Sequence, residues 1–272
     1  MTRLVRAGNP GPMTLEGTNT WLLGRRRVLV VDPGPAEPDH LAAVLAEVAR
    51  DGGVLGGVLL THRHHDHAEA LDLPVLRDAL ASAGAAVLAV DPALGAPPQP
   101  DALARATDEP VRLLPLPGHT DDSVGLVVPG ERAVLTGDTV LGRGTSVVAH
   151  PDGDLGEHLA SLDALLALTG TGRGAPWRGL PGHGPELEDL GVAVTGLRAH
   201  RLARLGQVEA ALDAVRAAGA GDDDLAGADD LVAAVVARVY PDLVDPVLLG
   251  AASRTVRATL VHLVHLVHRG RS

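Results

Sequence analysis

The chain contains no cysteine, no lysine and no phenylalanine. Disulfide bonds, thiolate metal ligands and a cysteine nucleophile are therefore excluded. One tyrosine and two tryptophans occur among 272 residues, so the core must be built from aliphatic side chains. Because lysine is missing, all 23 basic residues are arginines.

Positive charge is also scarce, since the formal net charge is −11. Proteins that capture nucleic acid by bulk attraction are usually basic, so this balance argues against simple electrostatic capture of RNA or DNA. Residues 195–272 hold nine arginines and nine acidic residues. The negative excess therefore lies in residues 1–194, where two divalent cations would offset about four charges.

Long apolar runs are missing as well. The first residues, MTRLVRAGNPGP, lack the apolar run of a signal peptide. No uninterrupted stretch of about 18 apolar residues occurs that would span a membrane. We therefore expect a cytoplasmic protein that has no contact with a membrane.

The first two thirds of the chain alternate short apolar runs with helical periodicity. Every predicted loop that carries a metal-binding type of side chain follows a strand, which favours an α/β fold. The predicted strands are Trp21–Leu23, Val28–Val31, Val54–Leu60, Ala85–Val90, Val111–Leu116, Val124–Val128 and Ala133–Leu135. The predicted helices are His40–Arg50, Ala68–Ala83 and Leu155–Leu168, and Asp91–Asp108 is a Pro- and Ala-rich surface stretch that carries little structural information.

The pattern changes near residue 195. A long helix is predicted over Leu197–Ala218, followed by helical segments at Leu231–Val239, Val247–Leu249 and Arg254–Val267. We therefore predict two domains: residues 1–195 form the α/β unit, and residues 196–272 form a small, mostly helical one.

The strongest chemical signal is Thr61–His67, with the sequence THRHHDH, which follows a predicted buried strand. His62 and His64 lie two apart on an extended loop, so both can reach one metal ion. Asp66 and His67 begin the next helix and can face a second ion. Imidazole and carboxylate ligands suit Zn²⁺, with Mn²⁺ or Fe²⁺ as alternatives.

Three further pieces complete the pattern, and each lies at a predicted strand end. His119 and His183 each occur in a Pro-Gly-His sequence, and Asp138 follows Gly137. The glycines allow the backbone to approach a metal closely. Four separate pieces in this order favour a two-metal site over scattered surface residues.

At these residues the sequence resembles the metallo-β-lactamase superfamily, whose pattern is HxHxDH, then Gly-His, Gly-Asp and Gly-His. The resemblance implies an αββα sandwich. Asp32 matches the acid that orients the metal-binding loop in this family, although a turn-forming role before Pro33 is equally consistent with the residues alone. The implied ligands are His62, His64 and His119 for the first metal, Asp66, His67 and His183 for the second, and Asp138 as the bridge.

Two metals held about 3.5–4 Å apart would clamp a hydroxide and lower the pKa of its parent water to about 7. That hydroxide would attack a carbonyl carbon or a phosphorus atom, while the metals stabilise the developing negative charge. Asp138, as the bridging ligand, and Asp66, which could also orient the hydroxide, are the candidate catalytic residues.

Further stretches resemble the β-lactamase-like protein 2 subfamily, which includes a single-strand-specific endoribonuclease. The resemblance implies a winged-helix-like unit at the C-terminal end. The subfamily often has a tyrosine in the helix that follows Leu155, where this chain has His158. The matching stretches are Asn9–Thr20, Val31–Pro35, Thr136–Thr145, Pro151–Leu155 and the set His200, Arg201, Arg204 and Gln207.

Three functions stay open. The first is hydrolysis of a phosphodiester in single-stranded RNA, which the resemblance favours and which the negative charge and shortage of stacking aromatics oppose. The second is hydrolysis of a thioester, carboxyl ester or lactone, as in glyoxalase II-type enzymes. The third is non-enzymatic binding of nucleic acid or a protein partner, with structural metals. A homodimer formed through the helical unit is a further expectation.

Overall fold

The computed structural model describes residues 2–170, 174–217 and 229–269. In these residues the strands form two mixed sheets, of five and four strands. The first sheet has the order β1 (Thr2–Arg6), β2 (Asn19–Leu23), β3 (Arg27–Val31), β4 (Val54–Leu59) and β5 (Ala86–Leu88). The second has the order β6 (Arg112–Pro115), β7 (Val124–Val128), β8 (Ala133–Gly137) and β9 (Arg178–Pro181).

Alternation along the strands builds a four-layer sandwich. In β3, Leu29 and Val31 face the second sheet and pack against Leu126 and Leu135, whereas the intervening Val30 faces a helical layer. Successive side chains of a strand point to opposite faces, so a strand covered on both sides reads as a continuous apolar run. The predicted αββα architecture is confirmed.

Helices cover both outer faces. The first sheet is covered by α1 (Pro38–Ala49) and α3 (Pro74–Ala83), and the second by α5 (Leu155–Gly170) and the first part of α6 (Leu190–Ala217). The remaining helices are α2 (His65–Ala68), α4 (Pro100–Ala106), α7 (Asp229–Val239) and α8 (Pro246–Arg269).

In the first 110 residues one predicted helix is wrong, and one stretch that carried little structural information contains a helix. The helix predicted over Ala68–Ala83 is divided, because Pro74 has no backbone N–H to continue a helix and instead starts α3. The stretch Asp91–Asp108 contains α4, which buries Leu103 and Ala106 against the sheets. Helix α4 has only two buried apolar residues, too few to show a helical periodicity in the sequence.

The long helix α6 joins the two predicted domains. Its residues Leu190, Val194 and Leu197 pack with the second sheet, whereas Val208 and Leu212 pack with α7 and α8. Residue 195 therefore lies inside one continuous helix, and the domain boundary stays a prediction. The described residues after 195 form helices and include no strand, so the winged-helix description also stays a prediction.

Helix α8 is continuous where two helical segments were predicted. Its residues Pro246–Leu266 are long and apolar enough to cross a membrane by length and composition, contrary to the expectation that no such segment occurs. Val256 and Leu260 of this helix are buried in the core formed with α6 and α7. A core helix of this composition passes the same test, so the stretch is weak support for a membrane span.

Strand β8 leads to Asp138, and its packing can be tested by substituting one buried and one exposed strand valine. Val134 is fully buried, so Val134→Ala should lower the free energy of unfolding by about 2 kcal/mol, since it removes buried methyl groups and leaves a cavity. Val54→Ala, at a strand position that is 58% exposed, should change it far less. Urea unfolding of both variants measures the difference, and equal effects would contradict this packing.

Candidate metal centre

Strand ends bring the predicted ligands to one edge of the sandwich. Strand β4 runs into Thr61 and the histidine-rich loop, β8 into Asp138, and β9 into His183. Val124 at the start of β7 donates its N–H to the Thr61 carbonyl at 2.8 Å, which joins the two sheets at this edge. These three segments and His119, which follows β6, are far apart in sequence but lie close together in space.

Three histidines form the first cluster. The Nε2 atoms of His62 and His119 each lie 3.0 Å from Nδ1 of His64. Two nitrogen ligands of a tetrahedral zinc ion, each bound at 2.0–2.1 Å, lie about 3.3 Å apart. Both separations are therefore close to that of two ligands of one zinc ion, and all three nitrogens lie within 4.8 Å of one another.

The second cluster contains two histidines and Asp66. His67 Nε2 and His183 Nε2 lie 3.2 Å apart, and His183 Nε2 lies 3.1 Å from Asp66 Oδ2. Asp138 lies between the two clusters, with Oδ2 at 3.8 Å from His119 Nε2 and 3.4 Å from His183 Nε2. All seven predicted side chains are thus brought together.

Hydrogen bonds on the outer side of the rings determine which nitrogen faces inward. His67 Nδ1 donates to Asp32 Oδ2 at 2.8 Å, and His119 Nδ1 donates to the Val147 carbonyl at 2.7 Å. Because a carboxylate and a carbonyl can only accept, each proton must lie on Nδ1. In its neutral form, each ring therefore presents an Nε2 lone pair to the cluster.

His62 and His64 have outer partners too. Thr61 Oγ1 donates to Asp32 at 2.7 Å, so its lone pair accepts His62 Nδ1–H at 3.0 Å. His64 is reversed: its Nε2 lies 3.3 Å from Asp152 Oδ2, and its Nδ1 faces inward. The lone pairs of His62 and His119 then each lie on a nitrogen 3.0 Å from His64 Nδ1, and the three lone pairs repel one another unless a cation lies between them. The donor set fits a divalent metal ion.

Asp32 supports both the loop and a ring. Its carboxylate is buried and accepts the Thr61 N–H, the Thr61 hydroxyl and His67 Nδ1–H at 2.7, 2.7 and 2.8 Å. Its φ of 54° is left-handed, a conformation that Asp tolerates better than most residues. The orienting role is therefore seen directly, and a role limited to the turn before Pro33 is excluded.

The first cluster is kept neutral by its surroundings. Burial and the neighbouring His67 lower the pKa of His62 well below its ordinary value. Burial and the adjacent His119 lower the pKa of His64 to about 4, and burial also lowers the pKa of His119. Neutral rings offer the lone pairs that a metal requires.

Carboxylates and histidines attract one another in the second cluster, where burial alone would lower the pKa of His67 but Asp32 and Asp138 raise it. Burial alone would raise the pKa of Asp66, but His67 and His183 lower it to about 2. Burial alone would lower the pKa of His183, but Asp138 and Asp66 raise it to about 9. The carboxylates that favour a proton on His183 also favour a divalent cation, because proton and metal compete for the same nitrogen. In addition, Asp138 Oδ1 is buried without a hydrogen-bond partner.

Other histidines of the sequence analysis lie outside these clusters. His65 is exposed at a non-ligand position of the loop. His158 is fully buried behind Gly118 and does not line the cleft. Asp152 and the Val147 carbonyl were missed as outer partners of the ligands. Asp152 lies in a stretch that was noted only for its resemblance, and a carbonyl carries no residue-type signal at all.

A cleft of about 190 Å³ opens onto His119 and Asp138. Its one described cation is Arg143, whose Nε lies 3.1 Å from Glu16 Oε1 in an exposed ion pair. The rest of the wall is mostly apolar and comes from the N-terminal loop, the loop after β8, and α8. The apolar residues are Pro12, Met13, Leu15, Leu141, Val147, Leu248 and Ala251.

The sequence profile of the Metallo-beta-lactamase superfamily matches residues 13–73 and 69–173. The chain belongs to this superfamily, whose members bind divalent metals and include hydrolases. A solved relative, a metallo-beta-lactamase family protein from Thermus thermophilus, has the same fold with a TM-score of 0.61 at 21% identity, covering 97% of this chain and 93% of that one.

Curated relatives carry several names. A lactamase-like protein of Aspergillus niger is 34% identical over 78% of this chain, and the chain spans 64% of that protein. An atrochrysone carboxyl ACP thioesterase of Aspergillus chevalieri is 36% identical over 80% of this chain and 68% of its own length. A beta-lactamase-like protein 2 homolog of Caenorhabditis elegans is 31% identical over 72% of this chain and 65% of its own length.

The role of the Asp32 carboxylate can be tested with a substitution that keeps the shape of the side chain. In Asp32→Asn, an NH₂ group replaces one oxygen and cannot accept the His67 Nδ1–H, so the ring is driven to the tautomer that carries its proton on Nε2. We expect metal affinity to fall by about 10–100-fold, measured by chelator competition. Asp163→Asn, which changes an exposed partner of Arg198, is the control. Unchanged affinity in Asp32→Asn would refute the orienting role.

Proposed function

We propose that the protein is a dinuclear metal hydrolase that cleaves a thioester or a related carboxyl ester with an apolar acyl group. The observation that carries the proposal is the convergence of five histidines and two aspartates beneath an apolar cleft. The names of relatives support it, since thioesterases are among them.

The ligand roles in this proposal follow the two clusters. Zn²⁺ is the metal that the nitrogen and oxygen donors suit best, with Mn²⁺ or Fe²⁺ as alternatives. When bound, a metal pair would supply a hydroxide nucleophile at neutral pH and stabilise negative charge on the substrate. The first metal would be held by His62, His64 and His119, the second by Asp66, His67 and His183, and both by Asp138.

The cleft suits a leaving group that departs without a proton. Apart from His119 and Asp138, its described lining residues include no histidine, carboxylic acid or tyrosine that could act as a general acid. A thiolate, with a pKa of about 8.5 in its conjugate thiol, is a far better unassisted leaving group than an alkoxide. The absence of an acid at this wall therefore favours a thioester over an unactivated ester.

The apolar wall suits the acyl side of such a substrate. Met13 and Leu248 are 41% and 38% exposed at this cleft, so their apolar surface is open to a ligand. Burial of apolar surface gains about 25 cal/mol per Å². An aliphatic or aromatic acyl group would thus be held by the same residues that exclude water from the metals.

Phosphodiester hydrolysis is the second candidate. The similarity to the beta-lactamase-like protein 2 homolog and the stretches shared with that subfamily favour it. The cleft opposes it, because its described cation, Arg143, is paired with Glu16. Trp21, the largest aromatic residue near this edge, is 2% exposed and unavailable for stacking on a base.

A paired assay on metal-quantified protein separates the two candidates. One arm offers acyl thioesters and lactones of increasing chain length, and the other offers labelled single-stranded RNA, each with and without chelator. We expect chelator-sensitive thioester turnover and no internal cleavage of RNA. Cleavage of RNA without thioester turnover would replace the thioester proposal with the ribonuclease one.

Asp138→Ala tests the metal centre itself. The variant should lose hydrolysis and at least one of the two metals while it keeps the fold, because Asp138 contacts members of both clusters. Asp163→Ala, at a carboxylate with an exposed side chain, is the matched control and should keep both. Full activity and two bound metals in Asp138→Ala would refute the assignment of this two-metal centre.

A further inference from the structure

Arg201 is a buried cation that the proposed chemistry does not use. It lies on α6 and is 5% exposed. Burial lowers the pKa of its guanidinium to about 10, so it stays charged at neutral pH. Among the described residues it has no carboxylate partner within ion-pair distance. A buried charge without an acidic partner is costly, which points to a specific task.

The guanidinium reaches the loop that lines the cleft. Arg201 Nη2 donates a short hydrogen bond to the Ser146 carbonyl and a second one, at 3.2 Å, to Ser146 Oγ. Ser146 is itself buried and belongs to the cleft wall. A side chain of the long helix thus holds a loop that starts at the end of β8.

The next residue of this loop touches a candidate metal ligand. The Val147 carbonyl accepts the hydrogen bond from His119 Nδ1 at 2.7 Å. That bond places the proton on Nδ1 and turns Nε2 toward His64 and Asp138. The position of Val147 therefore determines the direction of the His119 lone pair.

Few other polar contacts hold this part of the loop. Gly142 donates to the His183 carbonyl at 2.9 Å, and Ala149 accepts from Gly153 at 2.7 Å. Between these two points, apart from the side-chain ion pair of Arg143, the described hydrogen bonds are those of Ser146 with Arg201 and of Val147 with His119. The carbonyl that orients His119 thus depends on a neighbour that Arg201 fixes.

We infer that Arg201 is a positioning residue, which holds Ser146 and through the adjacent Val147 carbonyl aims His119 at the first metal. The inference rests on the proposed function. It gives α6 a specific role: the helix that carries the C-terminal helical unit also sets the geometry of one ligand. An arginine suits this task because one terminal nitrogen, Nη2, carries two N–H groups, which reach the carbonyl and the hydroxyl of the same residue.

Arg204 is a matched control on the same helix. Its Nη1 donates to the Val239 carbonyl at 3.3 Å, and its guanidinium carbon lies 4.4 Å from the centre of the Tyr240 ring. Both contacts are to the end of α7, and no described contact of Arg204 reaches the loop after β8. Removing this side chain should disturb helix packing without disturbing His119.

The experiment compares Arg201→Met and Arg204→Met, loaded with Co²⁺ and titrated with a chelator. In Arg201→Met we expect one metal to bind about 10–100-fold more weakly, with altered absorption bands for that metal, and the other to bind as in the wild type. Arg204→Met should keep both affinities and both sets of bands, whatever its thermal stability.

Wild-type metal affinity and spectrum in a folded Arg201→Met, or equal metal loss in Arg204→Met, would overturn the inference. If Arg201→Met does not fold, Arg201→Lys decides, since it keeps the buried charge but replaces the planar guanidinium with a tetrahedral ammonium group of different reach. A several-fold loss of affinity at one metal supports the inference, and wild-type affinity overturns it. Failure of the wild-type protein itself to bind two metals would instead reject the proposed function.

Discussion

The crowding of seven candidate ligand side chains at one edge of the sandwich is the constraint on which this structure depends. Neutral imidazole nitrogens lie 3.0 Å apart in the first cluster, and two carboxylates with lowered pKa values adjoin the second. The lone pairs of the first cluster repel one another unless a cation lies between them, and ordering all seven side chains costs conformational entropy, so the rest of the protein must hold them in place. Both sheets contribute to this, because their strand ends deliver the ligands and their shared aliphatic core keeps the strands in register.

Hydrogen bonds on the outer side of the rings orient the histidines that this frame brings together. Asp32, Thr61, Asp152 and the Val147 carbonyl each engage the ring nitrogen that faces away from the cluster. Their effect is to select the tautomer, and hence the direction of the lone pair, for four of the five histidines. Arg201 supports His119 indirectly, because it binds Ser146, the residue before Val147. The helical unit thus contributes to the metal centre through α6 and to the cleft through α8, although none of the seven candidate ligands belongs to it.

Local patterns made much of this predictable. The candidate ligands stand in short motifs that follow apolar strands, so these motifs, together with the family resemblance, indicated which side chains would meet. Contacts between distant segments were not predictable. Nothing near Arg201 in the sequence points to Ser146, and the role of Val147 depends on a backbone atom. Helix α4 was missed because only Leu103 and Ala106 mark its buried side, and Pro74 divided a helix whose apolar period continued across it.

The most direct test of the two-metal centre is anomalous X-ray diffraction at the absorption edge of the bound metal in crystals of the purified protein. We expect two peaks per chain about 3.5–4 Å apart, one enclosed by His62, His64 and His119 and the other by Asp66, His67 and His183, with Asp138 contacting both. A single peak, or peaks away from these side chains in metal-replete protein, would contradict this arrangement.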